Sequence, residues 1–315
     1  MSTAVAVAPS TVELELLRPA RITEVPVLDT LAGYSLALDA VRRSGRTVGV
    51  VPTMGALHDG HRSLIHRAAA ECDVVAVSIF VNPTQFGDPA DLANYPRTLG
   101  SDLEVVASAG GDLIFAPSVG EMYPDLPGAG VTTVSAPALS GRWEGASRPG
   151  HFDGVATVVV KLLASAGRCR AYFGEKDFQQ LALVRRVARD LSLPADVVGC
   201  TTVRDADGLA LSSRNARLST EQRRAALVLS RALRAGAVLV AGGEERPAAV
   251  EAAMESVVAG EPTVGLDYAA VVHADDLEPA LSCASAHPIR LLIAATVGPV
   301  RLIDNLDPHG SPTPA

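Results

Sequence analysis

The chain has few cysteines, and they lie far apart. The four are Cys72, Cys169, Cys200 and Cys283, and no Cys-x-x-Cys pair occurs among them. This spacing gives no support to a zinc ribbon or a dithiol redox motif, because both need closely paired thiols. We interpret the four thiols as small core residues of a protein in a reducing compartment.

Long apolar segments are also missing. The longest candidate, 155–166, is short and contains Lys161, whereas a membrane-spanning helix needs about 20 apolar residues. Residues 1–9 have neither the basic leader nor the apolar segment of a signal peptide. From these patterns we expect a soluble, cytoplasmic protein.

Positive charge is scarce and scattered. The formal net charge is −8 and the basic residues form no long run, which argues against electrostatic binding to nucleic acid. Net charge says nothing about a single cleft, so a local positive pocket for a phosphate compound is compatible with this composition. The 315 residues, 48% of them apolar, are enough for one large domain or two ordinary ones.

Two nucleotide-binding motifs, Gly-x-Gly-x-x-Gly and Gly-x-x-x-x-Gly-Lys-Ser/Thr, are absent, which disfavours an NAD-dependent oxidoreductase and a P-loop enzyme. The stretch 48–61 takes their place. It begins as an apolar, β-branched strand, and Pro52 and Gly55 then end the strand and turn the chain. A helix is predicted next from the spacing of Leu64, Ile65, Ala68 and Cys72.

His58 and His61 lie at the start of this helix. The first N–H groups of a helix have no internal partner and the helix dipole is positive there, so a phosphate is stabilised at this end. The spacing points both rings the same way, and Gly60 leaves the backbone open to a ligand. One hypothesis is a phosphate clamp for a nucleotide. The alternatives are capping or core histidines and a metal site, although no third ligand stands nearby at usual spacing.

Polar residues follow two other predicted strands. Asn82 and Gln85 follow the apolar run 74–81, and Lys176 and Asp177 follow a strand further on. Uninterrupted apolar runs are typical of parallel sheets covered by helices on both faces, and ligands bind beyond the carboxyl ends of such strands. These side chains are therefore candidates for one substrate site. The alternatives are a polar turn and a charged turn with Asp177 as helix N-cap.

The segment 123–149 is rich in Gly, Pro and Ser and predicts no regular element. We expect it to form a flap or a dimer contact.

Arg148 and His151 lie just before a predicted buried helix. They are candidates to bind an anion, and the alternative is that they are surface groups. Residues 211–215 offer two hydroxyls, a guanidinium and an amide in sequence.

The alternation of strand and helix weakens near residue 202. We therefore predict a parallel α/β domain over 26–202, a smaller α+β domain over 203–315, and a disordered tail over 1–25. Ser219 and Gln222 form a capping-box pattern in front of a long helix of the second domain.

Four sequence blocks together carry a resemblance to a known family. They are Pro-Thr-Met-Gly-Ala-Leu-His-Asp-Gly-His at 52–61, Val-Asn-Pro-Thr-Gln-Phe at 81–86, Phe-Gly-Glu-Lys-Asp at 173–177 with Gln180, and Asp-Gly-Leu at 207–209 with Ser-Ser-Arg-Asn at 212–215. Many nucleotidyltransferases share His-x-Gly-His alone, but four blocks in order and at family spacing are specific. Over about 30–305 the sequence resembles the pantothenate synthetase (pantoate–β-alanine ligase) family.

This resemblance implies an α/β fold with a Rossmann-like parallel-sheet N-terminal domain and a smaller α+β C-terminal domain that acts as a lid. It also implies a cytoplasmic homodimer that uses ATP with Mg²⁺. The implied reaction condenses (R)-pantoate with β-alanine to pantothenate through a pantoyl-adenylate intermediate, and releases AMP and pyrophosphate.

The resemblance further assigns roles to residues, none of them as a protein ligand of a metal. His58 and His61 would contact the phosphates, with His61 as the acid, and Lys176 and Arg214 would stabilise the charge of the triphosphate and the leaving pyrophosphate. The substrate contacts would be Gln85, Gln180, Asn82 and Arg148. The ATP-binding set would be Met54, Gly55, Ala56, Leu57, His58, Asp59, Gly60, His61, Gly174, Glu175, Lys176, Asp177, Val203, Leu211, Ser212, Ser213 and Arg214.

One position departs from the family pattern: Leu211 stands where the family usually has Met. The two side chains are close in volume, so we expect little change in packing. Two other functions are alternatives. One is an adenylyltransferase that transfers AMP to a phosphate ester, and the other is a non-catalytic nucleotide-binding protein.

Overall fold

Six parallel strands form the central sheet of the larger of two structural units. Their bounds are β1 Val27–Leu28, β2 Val48–Thr53, β3 Val74–Ile79, β4 Leu113–Phe115, β5 Cys169–Gly174 and β6 Ala195–Cys200. In this computed structural model, which describes residues 25–126 and 132–310, the strands lie in the order β1-β4-β3-β2-β5-β6. The predicted parallel α/β sheet is confirmed. The predicted tail lies, apart from Val25, outside the described residues.

Helices connect these strands. Their bounds are α1 Leu31–Arg43, α2 Asp59–Glu71, α3 Pro89–Ala93, α4 Leu99–Ala109, α5 Val119–Met122, α6 Pro137–Ser140, α7 Glu144–Ser147, α8 His151–Ala166 and α9 Phe178–Asp190. Single 3₁₀ turns follow β3 at Pro83–Gln85 and β5 at Glu175–Asp177. Two of the short helices, α6 and α7, lie in the segment for which the sequence predicted no regular element.

Strand β2 shows why the sheet is buried on both faces. Val48 and Val50 pack into a core built with α1, α8 and α9, whereas Val51 packs into a second core built with α2 and α4. Successive side chains of a strand point to opposite faces, so a run of consecutive valines can fill both cores. Helices therefore cover both faces, and the open edge at the strands' carboxyl ends is where loops gather.

The smaller unit is a three-stranded antiparallel sheet with two helices. Its elements are α10 Thr220–Ala241, α11 Pro247–Ala259, β7 Val264–His273, β8 Ile289–Val297 and β9 Val300–Leu306, with a 3₁₀ turn at Ser213–Arg217. The predicted capping box is present, since Ser219 Oγ accepts from the N–H of Gln222 and the Gln222 side chain accepts from the N–H of Ser219. The predicted boundary near residue 202 falls between β6 and this unit.

One contact between the two units is made by α6, α7 and the loop between them. The indole N–H of Trp143 donates to the carbonyl of Leu277 at 3.0 Å, and the guanidinium of Arg301 makes two bonds to the carboxylate of Glu144, at 2.7 and 2.6 Å. Glu144 is buried, so it depends on Arg301 for its charge balance. The irregular segment thus attaches the small sheet to the large unit. Among the described residues, no helix is both long and apolar enough to cross a bilayer.

Candidate active site

A cavity of about 660 Å³ opens at the carboxyl ends of β2, β5 and β6. The Pro83–Gln85 turn after β3 and the Ser213–Arg217 turn of the small unit also reach it. The structure therefore brings together polar clusters that are far apart in the chain. The predicted residues on its wall are Met54, His58, Gly60, His61, Gln85, Arg148, Gly174, Lys176, Asp177, Gln180, Val203, Leu211, Ser212, Ser213 and Arg214.

The two histidines begin helix α2 and cap it. Nδ1 of His58 accepts from the N–H of Gly60 at 3.1 Å, and Nδ1 of His61 accepts from the N–H of His58 at 3.3 Å. A neutral imidazole that accepts at Nδ1 carries its hydrogen at Nε2. The capping interpretation and the ligand interpretation are thus compatible, because capping fixes the tautomer and leaves Nε2–H of each ring as a donor.

Both imidazoles are held neutral. Burial, followed by the charge of His58, lowers the pKa of His61 to about 3. Burial and the nearby Lys176 ammonium lower the pKa of His58 as well. The composition is compatible with a positive pocket, but at neutral pH the histidines contribute hydrogen-bond donors to it and no charge. The positive charge comes from the arginine and lysine side chains of the cavity.

The neutral histidines predict acid sensitivity of the folded protein. Burial lowers the pKa of His151 to about 4, as it lowers that of His61, while an unfolded histidine titrates near 6.5. Below pH 6.5 the unfolded chain therefore binds more protons than the folded protein does. The contribution of the neutral histidines to the free energy of unfolding is complete above about pH 6.5 and is lost as the pH falls toward 4. We expect each group to lower the free energy of unfolding by about 1 kcal/mol between pH 7.5 and 5.5.

Urea unfolding at the two pH values measures this effect. The His61→Asn variant is the matched control, because it removes one of the titrating groups and keeps an acceptor near the position of Nδ1. Its loss of stability on acidification should be smaller than that of the wild type. Equal losses in the two proteins would contradict a depressed pKa at His61.

Gly60 is required because the His58 ring occupies the space where a Cβ would lie. A Cβ at this position would lie 2.8 Å from Cε1 and 2.9 Å from Nδ1 of His58. These distances are shorter than van der Waals contact, so any side chain would displace the imidazole. The glycine thus allows the ring to fold back over the first turn of the helix and cap it.

The turn between β2 and α2 is held from behind by an unpredicted residue. Gly55 and Ala56 both have positive φ, at 82° and 51°, and this conformation aims successive N–H groups at one point. The buried carboxylate of Asp102 occupies that point, accepting from Ala56 N at 3.1 Å and from Leu57 N at 2.8 Å. Thr98 Oγ1 donates to the same carboxylate at 3.1 Å.

This arrangement concerns part of the predicted ATP-binding set, whose role in binding ATP stays a prediction. The N–H groups of Ala56 and Leu57 are bound to Asp102, so they are not available to a phosphate. Five residues of this set stay off the cavity wall: Gly55, Ala56, Leu57, Asp59 and Glu175. Asp59 is exposed and pairs with Arg62 at 3.4 Å, which suits the first turn of a helix.

Gln85 is oriented by Asn82, which is itself buried. Asn82 Nδ2 donates to Gln85 Oε1 at 3.0 Å and to the carbonyl of Gly154 at 3.1 Å, while its Oδ1 accepts from the hydroxyl of Tyr123 at 2.9 Å. Asn82 is not on the cavity wall and its amide is already satisfied within the protein, while the substrate contact predicted for it stays a prediction. Gln85 Oε1 is occupied, so Gln85 presents the donor Nε2, which contacts Met54 Sδ at 3.1 Å.

Two hydrogen bonds in series join Arg148 to His151 and His151 to the backbone of Gln85. A guanidinium N–H of Arg148 donates to Nε2 of His151 at 3.1 Å, so the hydrogen lies on Nδ1, which donates to the Gln85 carbonyl at 2.8 Å. Burial, followed by the charge of Arg214, lowers the pKa of Arg148. Among the described residues, neither arginine forms an ion pair with a carboxylate. Two unpaired cations on one cavity wall predict an anionic ligand.

The other predicted groups lie around the same space. The side chain of Lys176 is only 16% exposed, with Nζ 3.5 Å from Asp177. Ser212 Oγ accepts from the N–H of Arg214 at 3.3 Å, so its hydroxyl hydrogen is free for a ligand. Gln180 lines the cavity, whereas the adjacent Gln179 is buried and bonds to backbone groups.

The chain is similar to proteins of one family over most of its length. The model of the family described as Pantoate-beta-alanine ligase matches residues 26–307. A pantothenate synthetase of Rubrobacter xylanophilus is 53% identical over 268 residues, which are 84% of this chain and 92% of that protein. A pantothenate synthetase of Cereibacter sphaeroides is 51% identical over 282 residues, which are 89% of this chain and 99% of that protein.

Solved structures show the same similarity. The pantothenate synthetase from Thermus thermophilus has a TM-score of 0.82 and 45% identity, covering 91% of this chain and 100% of that one. A pantoate-beta-alanine ligase from Francisella tularensis has a TM-score of 0.72 and 34% identity, covering 92% of this chain and 100% of that one. The latter is described as complexed with beta-gamma ATP and beta-alanine.

Proposed function

The chain belongs to the pantoate–β-alanine ligase family, and we propose that it uses ATP to condense (R)-pantoate with β-alanine. The product is pantothenate, and AMP and pyrophosphate are released. The observation that carries this proposal is one cavity whose wall holds two imidazole donors, the cations of Arg148, Lys176, Arg214 and Arg217, and two glutamine amides. The ligands described for the Francisella structure, an ATP compound and β-alanine, support the same chemistry.

The first half-reaction joins two anions. A carboxylate oxygen of pantoate attacks the α-phosphorus of ATP, and the bond from that phosphorus to the β-phosphate oxygen breaks. Because the reactants repel each other, the protein acts mainly by positioning them and neutralising charge. Nε2–H of His58 and of His61 would donate to the phosphate oxygens, and Lys176 and Arg214 would face the triphosphate. The low pKa of His61 favours hydrogen-bond donation over proton transfer in the free protein.

Pantoate would lie beside the two glutamines. Gln85 can donate through Nε2 to a carboxylate or hydroxyl oxygen of pantoate, since Asn82 occupies its oxygen. Gln180 keeps both its donor and its acceptor for the pantoate hydroxyls. Arg148 would neutralise a carboxylate in the same part of the cavity.

The second half-reaction needs no nucleophile from the protein. The amine of β-alanine attacks the acyl carbon of the adenylate, the acyl–phosphate bond breaks, and AMP leaves. Adenosine would lie against Gly174, Asp177, Val203 and Leu211. The Leu211 N–H donates to the Val203 carbonyl at 3.0 Å, so the backbone holds this loop and a leucine can replace the family methionine.

Mg²⁺ would enter with the triphosphate. The cavity wall includes the carboxylates of Asp91 and Asp177, and carboxylate oxygen is the ligand type that Mg²⁺ prefers.

We also propose that the protein is a cytoplasmic homodimer, that the two units span 26–202 and 203–315, and that the second unit acts as a lid. Strand β6 supports the dimer, because it forms one edge of the large sheet and most of its residues are only half-buried, and such edges are usually covered.

Exchange of labelled pyrophosphate into ATP tests the proposed function. We expect exchange only when pantoate is present, and we expect pantothenate only when β-alanine is added. Consumption of ATP with a phosphate ester in place of pantoate would indicate an adenylyltransferase. Binding of ATP by folded protein without exchange for any acid would indicate a nucleotide-binding protein. Either of these results would reject the ligase.

A further inference from the structure

Asn305 of β9 reaches from the small unit to the turn that carries Lys176. Its Nδ2 donates to the carbonyl of Glu175 at 2.9 Å and to the carbonyl of Lys176 at 2.8 Å. The residue is only 3% exposed, so these bonds replace water at two carbonyl groups of the turn. The 3₁₀ turn has no side-chain cap of its own.

The orientation of this amide is fixed by Arg290 of β8. Arg290 Nε donates to Asn305 Oδ1 at 2.7 Å, and Arg290 Nη2 lies 3.1 Å from the Glu175 carboxylate. The guanidinium carbon lies 4.3 Å from the centre of the Phe178 ring, a distance suited to a cation–π contact. Every polar atom of the Asn305 side chain is therefore committed, and its NH₂ group must face the turn.

The preceding residue, Asp304, holds the loop that follows Val203 of the cavity wall. Asp304 accepts from Arg204 twice, at 2.6 and 2.9 Å, and Arg204 also donates to the carbonyl of Gly208 at 3.2 Å. Arg204 follows Val203 in the loop proposed to face adenosine. Neighbouring residues of β9 thus fix the backbone of two separate loops around the cavity.

We propose that Asn305 is a positioning residue for Lys176, so that the sheet of the small unit builds the phosphate-facing turn. This inference rests on the proposed function, because it gives Lys176 its role. Lys176 is placed by the backbone from which it projects, and a displacement of about 1 Å can cost roughly a hundredfold in rate. The small unit is therefore anchored at this turn as well as at Trp143 and Glu144, and any lid movement would have to preserve or break both sets of bonds.

The variant Asn305→Asp tests whether the two bonds to the turn matter for the reaction. It has nearly the same shape and adds a charge that strengthens the contact with Arg290, but it places an oxygen against the carbonyls of Glu175 and Lys176. We expect the pantoate-dependent exchange rate to fall about 10- to 100-fold, mainly in kcat. Wild-type kcat would overturn the proposal, because both bonds that hold the turn are lost in this variant.

The double variant with Lys176→Met tests whether the effect passes through the lysine. If Asn305 acts on Lys176, then Asn305→Asp should lower the residual rate of Lys176→Met by no more than about twofold. A further loss as large as in the wild-type background would overturn the proposal. Glu278→Gln is the matched control, since it removes the inter-unit pair with Arg142 far along the chain from this turn, and its rate should equal that of the wild type.

A chemical readout keeps this test independent of activity. The chain has two lysines, Lys161 and Lys176, so acetylation can be followed at each by mass spectrometry. We expect Asn305→Asp to change the acetylation rate of Lys176 several-fold and to leave that of Lys161 unchanged. Unchanged acetylation rates at both lysines would reject the positioning role of Asn305. Absence of exchange activity from the wild-type protein is a different result, which would reject the proposed function.

If Asn305→Asp does not fold, Arg290→Met serves instead. It keeps an apolar side chain against Phe178 and leaves the Asn305 amide free to rotate. We expect a smaller loss of exchange rate, again absent in the Lys176→Met background. Fluorescence of Trp143, the one tryptophan, reports whether the contact with the small unit at Leu277 is intact in each variant.

Discussion

His61→Ala lowers the rate of pantoate-dependent pyrophosphate exchange by about a hundred- to thousandfold, because loss of one donor to the transition state costs roughly 3–4 kcal/mol. The donor is Nε2–H, which remains free when Nδ1 accepts from the N–H of His58. The loss should appear in kcat, since charge on the phosphate oxygens grows as the new bond forms. Thermal unfolding of the variant verifies that it is folded.

Two conservative variants separate the two roles of the His61 ring, which are to cap helix α2 and to donate a hydrogen bond to phosphate. His61→Asn places an acceptor near the position of Nδ1 and lacks the distal donor, whereas His61→Gln can place an N–H near the position of Nε2 and loses the cap. If donation to phosphate dominates, the glutamine variant should keep at least tenfold more activity than the asparagine variant. The reverse order would show that the cap, and with it the geometry of α2, matters more than the donor.

The strands and long helices could be predicted because each is determined locally. The valines of β2 and β3 predicted a sheet buried on both faces, and Ser219 with Gln222 predicted the start of α10. These signals depend on residues within a few positions of one another. The same local signals predicted that polar clusters follow the strands, so the location of the cavity could also be inferred.

The supporting residues could not be predicted, because their partners are distant in the chain. Asp102 lies 45 residues from Leu57, whose N–H it accepts, and Asn305 lies 129 residues from Lys176. Before the fold is known, each is one polar residue among many. The neutral state of the histidines was missed for a related reason, since burial lowers their pKa and burial depends on the whole fold.

Lys176→Met should lower the exchange rate by about a thousandfold, within the 2–5 kcal/mol expected when one partner of a buried charge pair is removed. Methionine keeps the length of the side chain and removes its charge. The ammonium is poorly exposed, so water cannot replace it easily at the triphosphate. Lys161→Met is the matched control: this side chain lies over the Tyr123 ring, with Nζ 5.7 Å from the ring centre, and its loss should leave the rate near wild type.

The division between kcat and the KM for ATP decides what Lys176 does. Charge moves onto the leaving pyrophosphate during the reaction, so an ammonium that follows this charge should affect kcat more than KM. A higher KM with unchanged kcat would instead mean that Lys176 binds the triphosphate equally in the ground state and the transition state. In that case the catalytic charge would have to come from Arg214, and Asn305 would position a binding contact rather than a catalytic one.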